Sequence, residues 1–251
     1  MDTEFFVKII IANPWVAYAI LAFVCLLGGI LVWRASKGDE VSLFGLQVQS
    51  NERLKELQQQ YKNIAEDNKQ QQYVINALRV LSGEIAKLVA RDYDRFEEHR
   101  NGIYRYFLSS VMASMAINKA NNPKVCIFVD AGDGTLKVHE AAAHSPEGMK
   151  KLRLPIADSA AGYTFTTGEI FFSGEIHTPG SRFRKHPKAQ STYHSLICVP
   201  IQVGDQVLGV LSVTGDEAKS YTEDEKSYLS AFSNSIAPLL YMELRGKVPI
   251  S

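Results

Sequence analysis

The stretch SLICVPIQVGDQVLGVLSVTG, Ser195 to Gly215, decides the reading of this chain. Leu196, Ile197, Val199, Pro200, Ile201 and Val203 form one apolar run. Val207, Leu208, Val210, Leu211 and Val213 form a second. Gly204-Asp205 lies between them, and such a pair suits a tight hairpin turn because glycine tolerates positive φ. The two runs therefore predict paired strands, and their apolarity assigns them to a core rather than to chemistry.

Working outward, Tyr221-Thr222-Glu223-Asp224-Glu225 follows the hairpin. Thr222 and Glu225 fit the T-x-x-E capping box that opens a helix. That helix buries Leu229, Phe232, Ile236 and Leu239. Upstream, Phe96, Tyr104, Phe107, Leu108, Val111 and Met115 recur at three- and four-residue steps, which predicts a helix over 94–119. Asn121-Asn122-Pro123 stops it. KVCIFVDAGDGTLKVHEAAA then predicts a hairpin turning at residues 131–134. LRLPI, SAAGYTFTTGEIFFSGE and a long polar loop lead to His194.

The N-terminal part has a different texture. No charged residue occurs from Ile9 to Trp33, and the chain's two tryptophans, Trp15 and Trp33, bracket the run. A bilayer core needs about 20 apolar residues, and tryptophans favour its two interfaces. The expectation is a short segment at 1–12 and a transmembrane helix at 13–33. Asp2 and Glu4, the length of the run and the lack of an A-x-A site argue against a cleaved signal peptide. Arg34, Lys37, Arg53 and Lys55 follow the span and only Lys8 precedes it, so the C-terminal part is expected in the cytoplasm.

Between span and domain, 40–93 is expected to form a coiled-coil helix. Leu54, Tyr61, Asn68, Ile75, Ser82 and Val89 take position a of a heptad. Leu57, Ile64, Gln71, Leu78 and Ile85 take position d. Asn68 at a is a device for register and for two strands, so a parallel homodimer is expected. Leu81 and Leu88 fall at g and widen the stripe.

Composition narrows the function. Formal net charge is zero over 251 residues, which gives no electrostatic case for nucleic acid. Three cysteines, Cys25, Cys126 and Cys198, show no pairing pattern and suit a reduced compartment. Cys126 and Cys198 lie in apolar strands with no basic neighbour, the setting of an inert core thiol. The six histidines show no metal-binding spacing.

The element order resembles the GAF domain. The residues that carry the resemblance are LPIADSAAGYTFTTGEIFF, SLICVPIQVGDQVLGVLSV and YTEDEKSYLSAFSNSIAPLL. The resemblance covers roughly residues 95–244. It implies an α+β fold over 94–245, an antiparallel sheet flanked by helices, with 246–251 as a tail. It also implies a small-molecule sensor or a dimerisation module rather than an enzyme. Bilin-binding relatives use a cysteine followed by histidine, and methionine-sulfoxide-reducing relatives use a cysteine set; this chain has neither. Thr214-Gly215 stand where cyclic-nucleotide-binding relatives carry asparagine-lysine.

No catalytic residue, metal site or cofactor is assigned. The loop EIHTPGSRFRKHPKAQSTYH, Glu175 to His194, gathers Arg182, Arg184, Lys185 and Lys188 with only Glu175 opposing them. In the family this region lies over the ligand side of the sheet. The candidate ligand residues are Arg182 and Arg184, with Thr166, Thr167 and Ser195 as pocket polar groups for an anionic small molecule. The expected partners are membrane lipid, a second copy of the chain, that small molecule and a separate output protein. The expected location is the cell membrane, single-pass. The competing expectation is a ligand-free docking or dimerisation module.

Overall fold

The computed structural model describes residues 13–36, 41–43, 46–48, 51–90, 96–116, 122–142, 146–176, 183, 193–218 and 221–245. The chain divides into two compact units, Met1–Asp67 and Asn68–Ser251.

In the first unit, helix α1 runs Pro14–Ser36. Pro14 occupies the first helical position, where its missing N–H costs nothing, and Val16 N–H donates to Asn13 O at 2.9 Å. Side chains are described for 15–30 and Trp33, and a 15–30 helix spans about 24 Å at ~1.5 Å per residue. Among the described residues, no helix is long and apolar enough to cross a membrane. The helix expected from residue 40 starts later. Strands β1 (Val41–Leu43) and β2 (Leu46–Val48) pair antiparallel, with Val41 opposite Val48. The alternating Val-Ser-Leu and Leu-Gln-Val triplets suit a pleated pair better than a helix. Helix α2 then runs Asn51–Ala90.

In the second unit, α2 presents a stripe different from the expected seam. Val74, Ala77, Leu81, Ile85 and Leu88 are buried in the domain core. They step by 3, 4, 4 and 3, the period of one helical face. The expected a residues Ile75 and Val89 stay exposed, while the expected d residue Ile85 turns into the domain core. The g positions won because the domain offers them a complete apolar surface, which the single chain does not offer the a positions.

Helix α3 (Phe96–Ala116) buries Tyr104, Phe107, Val111 and Met115. Strands β3 (Lys124–Asp130) and β4 (Thr135–Ala142) form the first hairpin. A six-residue helix α4 (Pro146–Lys151) and strand β5 (Arg153–Pro155) follow. Helix α5 (Ala160–Thr167) and strand β6 (Phe171–Ser173) come next. The opening stretch forms β7 (Ser195–Val203) and β8 (Gln206–Gly215), turning at Gly204 with φ 57°. Helix α6 (Glu223–Arg245) closes the domain. Its expected cap is present: Thr222 N–H donates to Glu225 Oε2 at 3.1 Å, and Glu225 N–H to Thr222 Oγ1 at 3.2 Å.

The sheet is antiparallel with strand order β5-β4-β3-β8-β7-β6. Val125, Ile127, Val129, Ile197, Val199, Ile201, Leu211 and Val213 alternate onto one face, which α3 and α6 cover, with buried residues of α2 joining the same core. Cys126, Phe128, Cys198 and Val210 alternate onto the other, which Ala160 and Ala161 of α5 cover. Both faces of the central strands are dry. For that reason the opening stretch reads as continuous apolar runs rather than as strict alternation.

Candidate functional site

The second face of the sheet, beneath α5, is where the predicted site residues cluster in sequence. Helix α5 is fixed there from both ends. Ser159 Oγ accepts from Gly162 N–H at 3.0 Å, and Gly168 ends the helix at φ 71°. Gly162 itself sits against backbone: a Cβ there would lie 2.1 Å from Ile156 O. Only glycine lets α5 approach this closely.

Beyond α5, three rings meet. Phe183 lies 5.0 Å from Phe171 and 5.9 Å from Tyr163, centroid to centroid. The Tyr163 hydroxyl donates to Glu169. The base of the basic loop is tied shut: Ile176 N–H donates to His194 O at 2.7 Å, and His194 N–H to Gly215 O at 2.8 Å. His194 Nδ1 also meets Glu175 Oε2 at 3.2 Å. Phe183, seated among the rings, lies between Arg182 and Arg184 in the chain. Those two arginines are outside the described residues.

The other candidates separate. Thr166 and Thr167 hydroxyls turn back onto their own helix, donating to Gly162 O and Tyr163 O, each at 2.9 Å. Ser195 is fully buried and its Oγ accepts from the Tyr221 hydroxyl at 3.4 Å. Tyr221 belongs to the helix-side core, so Ser195 faces away from α5. Strand parity already implied this, since Ser195 shares its face with Ile197 and Val199.

Cys126 and Cys198 both sit opposite Ser212 of β8, one on either side of it. Burial pushes both thiols up to about 12. Their thiolate fraction near neutrality is on the order of 10⁻⁵, too low for a nucleophile. Both are core residues, as expected.

A polar cluster that the sequence did not disclose lies on the helix side. Arg100 of α3 meets Glu243 of α6 through Nε at 2.5 Å and Glu140 of β4 through Nη1 at 2.7 Å. His139 of β4 meets Glu243 Oε2 at 2.7 Å, and the Tyr104 hydroxyl donates to the same oxygen at 3.2 Å. The Arg100 guanidinium also lies 4.7 Å from the Tyr104 ring centroid. Burial opposes ionisation of Glu243, yet the hydrogen bonds from His139 and Arg100 prevail and hold its carboxyl below the usual range. The partners lie 39 to 143 residues apart in the chain. No local motif signals them. Arg100, Tyr104, His139, Glu140 and Glu243 partner one another, which makes the cluster a tie between α3, β4 and α6. Separately, a groove of about 370 Å³ between α2 and α3 has an apolar floor of Val80, Leu81 and Ile103 and an acidic rim of Glu84 and Glu98.

A curled antiparallel sheet, with helices on one face and one short helix roofing the other, defines an α+β domain. A family profile described as "GAF domain" matches residues 113–240, and the chain belongs to that family. The GAF domain of a phosphoenolpyruvate-protein phosphotransferase from Acinetobacter is similar at TM-score 0.53 and 14% identity, covering 70% of this chain and 97% of that one. The corresponding domain from Coxiella burnetii is similar at TM-score 0.53 and 14% identity, covering 70% and 99%. A protein described as a GAF sensor from Burkholderia vietnamiensis is similar at TM-score 0.50 and 12% identity, covering 72% and 98%. Identities this low speak to the fold alone. No curated protein matches the chain.

Proposed function

We propose that this chain is a membrane-anchored regulatory GAF protein, dimeric through α2. In this reading it senses an anionic small molecule in the cytoplasm and signals to a separate output protein. The observation that carries the ligand reading is the tied base of the loop after Ile176. Phe183 is held by Tyr163 and Phe171 on the α5 side of the sheet, and Arg182 and Arg184 flank it in sequence. Guanidinium groups suit carboxylates and phosphates through paired, charge-assisted hydrogen bonds.

The test is thermal unfolding of the full chain with a panel of nucleotides and carboxylates. A ligand that binds only the folded state raises stability by RT ln(1 + [L]/Kd), or about 2.7 kcal/mol at one hundred times Kd. The reading expects a shift that Arg182→Ala/Arg184→Ala removes. A shift that survives the double substitution moves the site elsewhere.

The anchor rests on α1, whose apolar side chains Leu21, Phe23 and Leu26 are all exposed in the described structure. Bilayer is the medium that covers such a surface without a protein partner. Carbonate extraction tests it, and release of the chain from membranes contradicts it. Fusion of a cytoplasm-only reporter after Ser251 tests the orientation.

A second reading is a docking or dimerisation module without a ligand. The packing beneath α5 favours it, since Leu136, Cys198 and Val210 there are all but fully buried. It expects no thermal shift with any member of the panel.

A further inference from the structure

At the β5 edge of the sheet, four cations share one exposed surface. Lys137 of β4 and Arg153 of β5 are direct cross-strand partners in the antiparallel register. Their chain neighbours Leu136 and Leu154 pack into the α5-side core, so the pleat turns Lys137 and Arg153 to the opposite face. Both are exposed. Lys150 and Lys151, exposed as well, close α4 just before β5. Arg153 is joined to that helix end: its Nη1 donates to Lys150 O at 3.1 Å and to Leu152 O at 2.9 Å.

This grouping breaks a local rule. Like charges directly opposed on neighbouring strands are destabilising. Yet among the described residues none of the four cations forms an ion pair, and Nε and Nη2 of Arg153 donate to no protein group. The nearby acids are few. Asp133 feels the charge of Arg153, but its Oδ1 already accepts from Thr135 N–H at 3.0 Å and from the Thr135 hydroxyl at 2.5 Å. Glu140 is taken by Arg100 at 2.7 Å. Glu147 in the first turn of α4 is the remaining carboxylate of that helix. The edge therefore carries surplus positive charge, with guanidinium donors left over.

We infer that this β4–α4–β5 edge is a docking surface for the anionic face of a lipid bilayer. The inference rests on the membrane-anchored reading above and adds which surface of the domain meets the lipid. Headgroup phosphates and carboxylates supply what the edge lacks: acceptors for Arg153 and countercharge that relieves the repulsion between Lys137 and Arg153. The form of the surface fits as well. The four cations stand exposed on long stems rather than sunk in a pocket, which suits an extended charged plane better than one small anion. Residues 146–155 contain no aromatic ring on which a base could stack, and the net charge of zero gives no pull towards nucleic acid. Four cations attract an anionic surface only weakly when free in solution. A domain tethered to the bilayer by α1 meets lipid at a high effective concentration, so weak attraction suffices. Such docking is screened by salt.

The test is brief acetylation of full-length protein in nanodiscs, read by mass spectrometry. The nanodiscs are phosphatidylcholine alone or with about one-third phosphatidylserine. Lys62 and Lys69, exposed on α2, serve as references within the same chain. Labelling of Lys137, Lys150 and Lys151, relative to these two, is expected to fall at least about threefold in the anionic discs and to recover at about 0.5 M salt. Equal labelling in the two lipids overturns the docking surface. Protection in anionic discs that extends equally to Lys62 and Lys69 overturns its assignment to the β5 edge. Protection in neutral discs on adding inorganic phosphate in millimolar excess assigns the edge to a soluble anion and overturns the lipid. A chain that does not elute with the neutral discs overturns the anchored reading instead, and its lysine pattern on mixing with anionic discs still decides the docking surface.

Discussion

His139 Nε2 lies 2.7 Å from Glu243 Oε2, joining strand β4 to the last turns of α6. Arg100 completes the tie from α3, so three elements distant in sequence meet on one carboxylate. Removing one partner of a buried pair strands the other, and the penalty exceeds the net worth of the pair. With Arg100 still about one-fifth exposed, Glu243→Gln is expected to destabilise the protein by about 2–3 kcal/mol near neutrality. Glu243 has a folded-state pKa below its unfolded value. Its contribution is therefore full above the usual carboxylate range and fades as pH falls through the folded value. Urea unfolding at about pH 7 and about pH 3 checks this, and the gap between wild type and variant should narrow at the lower pH. A gap that persists unchanged assigns the loss to packing.

Gly162 and Gly83 should respond to alanine with opposite signs. A Cβ at Gly162 meets Ile156 O at 2.1 Å, so Gly162→Ala must displace α5 and is expected to cost about 1–3 kcal/mol. Gly83 lies in α2 with nothing within 4 Å of the Cβ position. Gly83→Ala is expected to stabilise by about 0.5–1 kcal/mol through helix propensity alone. Denaturant midpoints measure both.

Cys126 and Cys198 should resist a thiol reagent in the native state. Their thiols are raised to about 12 by burial, and both side chains are out of contact with solvent. Labelling kinetics with and without denaturant check this. Native labelling as fast as that of the unfolded chain would contradict the packing of the second face.

The cap at the start of α6 makes a smaller prediction. Thr222→Ala removes the acceptor for Glu225 N–H and is expected to cost about 1 kcal/mol. Thr222→Ser keeps the acceptor and should recover most of that. Thermal unfolding separates the two variants.

Local rules carried a large share of this fold. The β7–β8 hairpin, its Gly204 turn, the Thr222–Glu225 cap and the burial of both strand cysteines were legible because each depends on residues within a few positions of one another. The resemblance to the GAF family was legible for the same reason, as a run of short motifs in order. Three things needed the tertiary structure. A heptad pattern tells that α2 is amphipathic, but Val74, Leu81 and Leu88 were chosen over Ile75, Ser82 and Val89 by the apolar surface the domain offered them. Ser195 lies next to the basic loop in sequence, yet the pleat turns it to the opposite face, towards Tyr221. The tie of Arg100, His139, Glu140 and Glu243 has no signature in the chain, because charge pairing depends on distance in space and the fold alone brings α3, β4 and α6 within hydrogen-bond reach.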